Sequence, residues 1–244
     1  LKSLVHWWRS AVARFTAPRR PDHLPLAVQE YLDAPCPTVR LPWRDVPYTV
    51  LDIETSGLDP RWDAILAIGA VDIEGGRVRL DRRWYTTARP PEPSRVAAAS
   101  IRIHGLLRQE LAQAPPLEQV LLELLSRLQG RVLVVHMAAI DVKFLDRALR
   151  KHFRIRLRGP ALDTARIGGV LLHNERMMSG YDEGPRDTTL RSLAKQAKIP
   201  VHPQHNALGD ALTTAQLFLY QATRLQKQGK DTFHKLLRVG GCLK

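Results

Sequence analysis

Two carboxylates stand two residues apart in Asp52-Ile53-Glu54-Thr55, directly after the apolar run Tyr48-Thr49-Val50-Leu51. In a strand, alternate residues share a face, so Asp52 and Glu54 point the same way. Two ionised carboxylates ~6 Å apart repel by roughly 3 kcal/mol at an effective dielectric near ~20. A positive occupant relieves that repulsion, and a divalent metal ion is the usual one. The pair reads as half of a metal site.

Two further sites join it. His136-Met137-Ala138-Ala139-Ile140-Asp141 places Asp141 after a short strand, in the first turn of a helix. It shares a helical face with Leu145, Ala148 and Leu149, the stripe that should pack on a sheet. The helix macrodipole alone also favours an aspartate there. In His205-Asn206-Ala207-Leu208-Gly209-Asp210, a histidine precedes an acid by five residues at a helix entrance. Such a histidine is usually a cap or a surface residue, and beside a metal ligand it can instead be a general base. Four carboxylates and an imidazole, in a chain of net charge +13, fit metal-dependent attack on a phosphodiester. Oxygen ligands suit Mg²⁺ or Mn²⁺; zinc would prefer a Cys/His cluster, which the sequence lacks.

These residues need a scaffold, and from Val46 onward the pattern is α/β. Strands are expected over Tyr48–Ile53, over 64–71 and, after the hairpin signal Glu74-Gly75-Gly76-Arg77, over Val78–Tyr85. A helix through Leu117, Val120, Leu121, Leu124, Leu125 and Leu128 leads to a short buried strand over 131–136. A helix through Phe144 and Leu149, a strand end at Ala161-Leu162-Asp163, and a helix capped by Thr188 or Thr189 follow. The last long helix runs from about Ala207 to Gln226, with Leu208, Leu212, Ala215, Leu219 and Ala222 as core stripe and Asp210 opposite. The fold class is therefore α/β: a mixed sheet of three antiparallel strands then parallel βαβ units, with helices on both faces. Residues 1–45 form a basic arm rich in Trp and Pro. There Leu4, Trp7, Trp8, Val12 and Phe15 fall near helical spacing, among Arg9, Arg14, Arg19 and Arg20. The arm is expected to lay its Trp side chains on the main domain, 46–228; a membrane- or partner-binding helix is the other reading. Residues 229–244 form a basic C-terminal tail.

The 244 residues are 44% hydrophobic, enough for one core plus an extension. No apolar run approaches the ~20 residues needed to span a bilayer, and Leu4-Val5-His6-Trp7-Trp8-Arg9 is too short and too interrupted by polar residues for a secretory h-region. A soluble, cytoplasmic protein is the expectation, with Cys36 and Cys242 as free thiols. A charge of +13 and a pI near 10.3 imply a polyanionic partner, nucleic acid before an anionic membrane surface. Lys143, Arg147, Arg150, Lys151, Arg154, Arg156 and Arg158 could make a phosphate track; a solvated helix face and loop is the alternative.

The order Asp-x-Glu, then Asp, then His-x-Ala-x-x-Asp resembles the DEDDh 3′–5′ exonucleases (DnaQ-like), among them the proofreading epsilon subunit of bacterial DNA polymerase III and ribonuclease T. The resemblance covers about residues 47–226, and Ile103-His104-Gly105-Leu106 looks like the family's "His-Gly-Ile" loop. It implies a ribonuclease-H-like sheet and two divalent ions, Mg²⁺ or Mn²⁺. Asp52 would bridge them, Glu54 and Asp210 would complete one, and Asp141 would hold the second. His205 would act as the base on the attacking water. Thr55, Leu58, His104 and Ile140 match positions lining the terminal-nucleotide pocket. Two positions depart from the second motif, His-Asn-Ala-x-Phe-Asp: Met137 stands for Asn and Ile140 for Phe. The expected activity is release of nucleoside 5′-monophosphates from 3′ ends of single-stranded DNA, with a DNA polymerase or repair factor as possible partner. RNA trimming, or a non-catalytic nucleic-acid-binding or polymerase-tethering role, are the alternatives.

Overall fold

The computed structural model describes residues 23–93, 96–179, 187–202 and 205–242. The arm's predicted helix, with Trp7 and Trp8, lies outside the described residues. Strands β1 (Tyr48–Thr55), β2 (Ile65–Glu74), β3 (Arg77–Thr87), β4 (Val132–Val135) and β5 (Ala161–Asp163) form one sheet in the order β3-β2-β1-β4-β5. The β1–β2 and β2–β3 pairs are antiparallel, while β4 runs parallel to β1 and β5 parallel to β4. The β2–β3 turn uses Gly75 and Gly76, both at positive φ (57° and 69°), which a two-residue hairpin turn demands. This is the mixed sheet that the sequence predicts.

Nine helices are described: α1 (Leu26–Asp33), α2 (Ala98–His104), α3 (Arg108–Gln113), α4 (Leu117–Leu128), α5 (Asp141–Phe153), α6 (Thr164–Ser179), α7 (Leu190–Gln196), α8 (Ala207–Lys227) and α9 (Phe233–Gly240). Strand alternation divides the core in two. Leu51, Ile53, Leu133 and Val135 meet α4 and α5 on one face. Tyr48, Val50, Val132 and Val134 meet α6, α8 and α9 on the other. Asp52 and Glu54 continue the series of Tyr48 and Val50, so they face α8.

How α8 packs corrects the sequence reading. Ala207, Ala211, Ala215, Phe218, Ala222 and Leu225 are fully buried, whereas Leu208, Leu212 and Leu219 are half-buried. Small side chains let the helix backbone approach the sheet. At Gly69 a Cβ would collide with the backbone of Ala207 and Leu208. Asp210 sits one turn beyond Ala207 on this sheet-facing side, not opposite it.

The expected basic tail is likewise corrected. Residues 233–240 are helical, and Phe233 and Leu236 are fully buried. Phe233 packs edge-on against Tyr48, which also meets Phe218; Phe218 in turn meets Trp43. Trp43 Nε1 donates to Gln226 Oε1 at 3.0 Å, and Tyr48 Oη donates to the Trp43 carbonyl at 2.7 Å. Basic residues outnumber acidic ones in both flanking segments, yet Tyr31, Trp43 and Phe233 enter the core. Neither 45/46 nor 228/229 is a break in packing. Helix α1, also within the expected arm, buries Val28 and Tyr31 against α4. Among the described residues no helix is long and apolar enough to cross a membrane, and Cys36 and Cys242 are not joined in a disulfide.

Candidate active site

The acids converge because two close approaches bring their elements together. Asp52 pairs across the sheet with Gly69, and Gly69 admits the first turn of α8 onto that spot. Asn206 caps α8 by accepting from the Gly209 amide at 3.1 Å. Asp210 Oδ2 accepts from the His205 amide at 2.9 Å, which fixes the carboxylate. As a result Asp52, Glu54 and Asp210 offer oxygens all within 4.8 Å of one another. Asp141, at the start of α5, is not part of that triangle but is buried beside it and raises the pKa of Asp52 and Glu54.

Burial is the first cause of every shift in this group. It raises Asp52 well above the carboxylate range, and Asp141, Asp210 and Glu54 push it further. Glu54 is carried to about 7 by burial and then by Asp210 and Asp141. Asp141 is raised by burial, against opposing hydrogen bonds from its own amide and that of Ile53. Asp210 is raised by burial, although the His205 amide and imidazole pull it down. Glu54 Oε1 is buried without a hydrogen-bond partner among the described residues. An orphaned acceptor within a triangle of mutually repelling acids fits a divalent cation, and an all-oxygen donor set fits a hard one.

His205 is exposed and holds a left-handed backbone (φ 57°) at the entrance of α8. His104 is depressed first by burial and then by the charge of His205. The residues expected to touch a nucleotide divide into two kinds. Leu58, 77% exposed, and Ile140, 38% exposed, are open for contact. Thr55 and His104 are committed internally: Thr55 Oγ1 donates to the Gly57 carbonyl at 2.6 Å. His104 Nδ1 accepts from the Leu106 amide at 3.0 Å, which leaves the proton on Nε2 for Ser100 Oγ at 2.8 Å. Ser100 Oγ then donates to the Thr55 carbonyl at 3.1 Å. This chain ties α2 to the end of β1, beside a register shift at Glu54/Thr55.

Sequence reasoning missed two residues. Asp163, buried at the end of β5, accepts from the amides of Met137 (3.1 Å), Ala138 (3.1 Å) and Ala165 (2.8 Å). It holds the loop that delivers Asp141, including Met137 in a left-handed conformation (φ 57°). Tyr85 stands in the same cross-strand row as Asp52 and Gly69, and Glu54 raises the pKa of its phenol after burial does. Asp163 follows an apolar strand and Tyr85 alternates in one, so neither carried a spacing signal.

Three comparisons bear on this geometry. The model of an exonuclease family, RNase_T, matches residues 49–218. A DNA polymerase III of PolC type from Thermotoga maritima is 32% identical over 185 residues, covering 76% of this chain and 12% of that protein. The chain thus spans about an eighth of the length of that relative. Among solved structures, Escherichia coli exonuclease I in complex with a dT13 oligonucleotide superposes with a TM-score of 0.60 at 14% identity, covering 79% of this chain and 46% of that one. A 3′-exonuclease recognising a histone mRNA stem-loop superposes with a TM-score of 0.58 at 16% identity, covering 76% and 84%.

Proposed function

Since the chain belongs to the RNase_T exonuclease family, we propose that it removes nucleotides from the 3′ end of single-stranded DNA, releasing 5′-monophosphates. The observation that carries this reading is the triangle Asp52–Glu54–Asp210 with its orphaned Glu54 oxygen. A non-catalytic binding subunit has no use for buried carboxylates that repel one another. DNA is preferred to RNA because the matched relatives include DNA polymerase III chains, and a polymerase is the partner this suggests.

Asp52, Glu54 and Asp210 would hold one Mg²⁺ or Mn²⁺, and Asp52 with Asp141 a second, in the DEDDh manner. When bound, the ions would make hydroxide available from water and stabilise the leaving 3′ oxygen. The protein's own groups do the rest. The imidazole of His205, exposed at the mouth of the cluster, would accept the proton of the attacking water and pass it to solvent. Leu58 and Ile140 would bear on the terminal nucleoside. The His104–Ser100 chain would keep the end of β1, and thus Glu54, in register with Asp52.

The test is degradation of 3′- and 5′-labelled DNA and RNA oligonucleotides of one sequence, in Mg²⁺, in Mn²⁺ and in EDTA. Metal-dependent shortening from the 3′ end, absent in Asp52→Ala, is the expected result, with DNA the faster substrate. Faster RNA shortening would replace the substrate but keep the chemistry. Binding without cleavage would replace the enzyme with a tethering subunit.

A further inference from the structure

We propose that the outer face of α5, with the β1–β2 loop beside it, is a track that holds the phosphates of a single strand upstream of its 3′ end; this deepens the functional reading above and rests on it. Lys143, Arg147 and Lys151 are exposed and recur every four residues, so they form one stripe along the helix. None of the three has a carboxylate in ion-pair contact among the described residues. The carboxylate within the groove, Asp146, is turned inward: it accepts from the Leu157 amide at 2.8 Å and lies 3.9 Å from Arg150. Arg147 donates to the Arg61 carbonyl at 2.9 Å, which brings the loop against the helix and makes the stripe one wall of a groove. Arg61 itself is paired with Asp59, which also feels the charge of Arg147.

Three like charges four residues apart weaken a helix slightly, and a merely solvated face would intersperse acids. The stripe is better explained by a ligand that brings its own negative charge at regular intervals. Its position points to the same polymer that the acid cluster would cut. Helix α5 begins at buried Asp141, and Lys143 stands at the same end of the helix on its exposed face; the groove continues toward the cluster along the β1–β2 loop, which leaves β1 just after Glu54 and Thr55 and lines the groove with Pro60 and Arg61. From Lys143 to Lys151 is about 12 Å at ~1.5 Å per residue, the span of roughly two to four phosphates depending on how far the strand is stacked. Trp62, 85% exposed and adjacent to Arg61, adds a face on which a base can stack. It offers aromatic surface that the second motif lacks at Ile140. The strand would run from its 3′ end at the cluster toward the C-terminal end of α5.

Binding of a fluorescent dT series from two to twelve nucleotides, measured in EDTA over a range of salt, tests the track apart from any hydrolysis. In the wild type, affinity should climb with length up to about five nucleotides and then level off. Lys143→Ala/Arg147→Ala/Lys151→Ala should bind dT10 at least tenfold more weakly and flatten its log-log salt slope by about 2. Lys143→Ala/Lys151→Ala, which spares the Arg147 contact with the loop, should flatten it by about 1.4. Both should match the wild type on dT2. Trp62→Ala should weaken dT10 severalfold, with Trp62→Phe restoring most of the loss. Unchanged dT10 affinity and slope in both charge variants would overturn the track. Missing hydrolysis by the wild type, with these binding results intact, would overturn the exonuclease reading alone.

Discussion

At the scale of single residues, the acid cluster makes the metal-free protein sensitive to pH in an unusual direction. Glu54 lies at about 7 instead of its ordinary 4.5, so the folded state takes up a proton that the unfolded chain releases. Stability from this group is present below about pH 4.5 and is lost as pH rises through 7. Asp52, Asp141 and Asp210 shift the same way. The ion-paired acids Asp59, Glu74 and Asp81 shift downward and act at lower pH. In EDTA the melting temperature should therefore fall between pH 5.5 and pH 8, and Mg²⁺ should restore more at pH 8. A flat or rising profile would contradict this. Asp52→Asn should raise the pH 8 value in EDTA while removing activity. His205→Ala should lower kcat by roughly 10²- to 10⁴-fold without changing the melting temperature. His104→Ala leaves the Leu106 amide and the Ser100 hydroxyl without their partner, and should destabilise by about 1–2 kcal/mol. Its kcat should fall more than its KM changes, because the end of β1 is loosened while Leu58 and Ile140, proposed to bear on the nucleotide, stay in place.

At the scale of elements, what the sequence made legible was periodicity, and what it hid was small residues. Alternation over 48–54 placed Asp52 and Glu54 on one face, and Gly75-Gly76 marked the hairpin, as the structure has them. The stripe of α8 was misjudged because leucines weigh more than alanines in a hydrophobic pattern, although alanines permit the closer approach. Gly69 was silent for the same reason. Gly69→Ala should push the start of α8 off the sheet, separating Asp210 from Asp52; loss of both activity and metal-dependent thermal stabilisation would register it. The loop before α5 gives the opposite case. Met137 holds a left-handed backbone that Asn tolerates better than Met, and three amides converging on Asp163 keep it there. Met137→Asn should stabilise by about 0.5–1 kcal/mol in denaturant titration, since the strain is relieved without touching an acid.

At the scale of the whole molecule, the aromatic cluster of Trp43, Tyr48, Phe218 and Phe233 joins segments from both flanks to the end of the sheet remote from the acids. Phe233→Ala removes a fully buried ring and should lower stability by roughly 3–5 kcal/mol, measured by denaturant unfolding. A truncation at 228 that melted like the full chain would return residues 229–244 to the status of a tail. The placement of Phe233 also has a consequence in time. A ribosome delivers the chain from its N-terminal side, at roughly 5–20 residues per second. Asp52, Glu54 and Asp141 emerge early, but Asp210 rides on a helix whose far end is fastened only when Phe233 and Leu236 have cleared the exit tunnel. The nascent polypeptide, strongly cationic and tethered among ribosomal and messenger RNA, thus carries an unfinished blade until that last helix has docked.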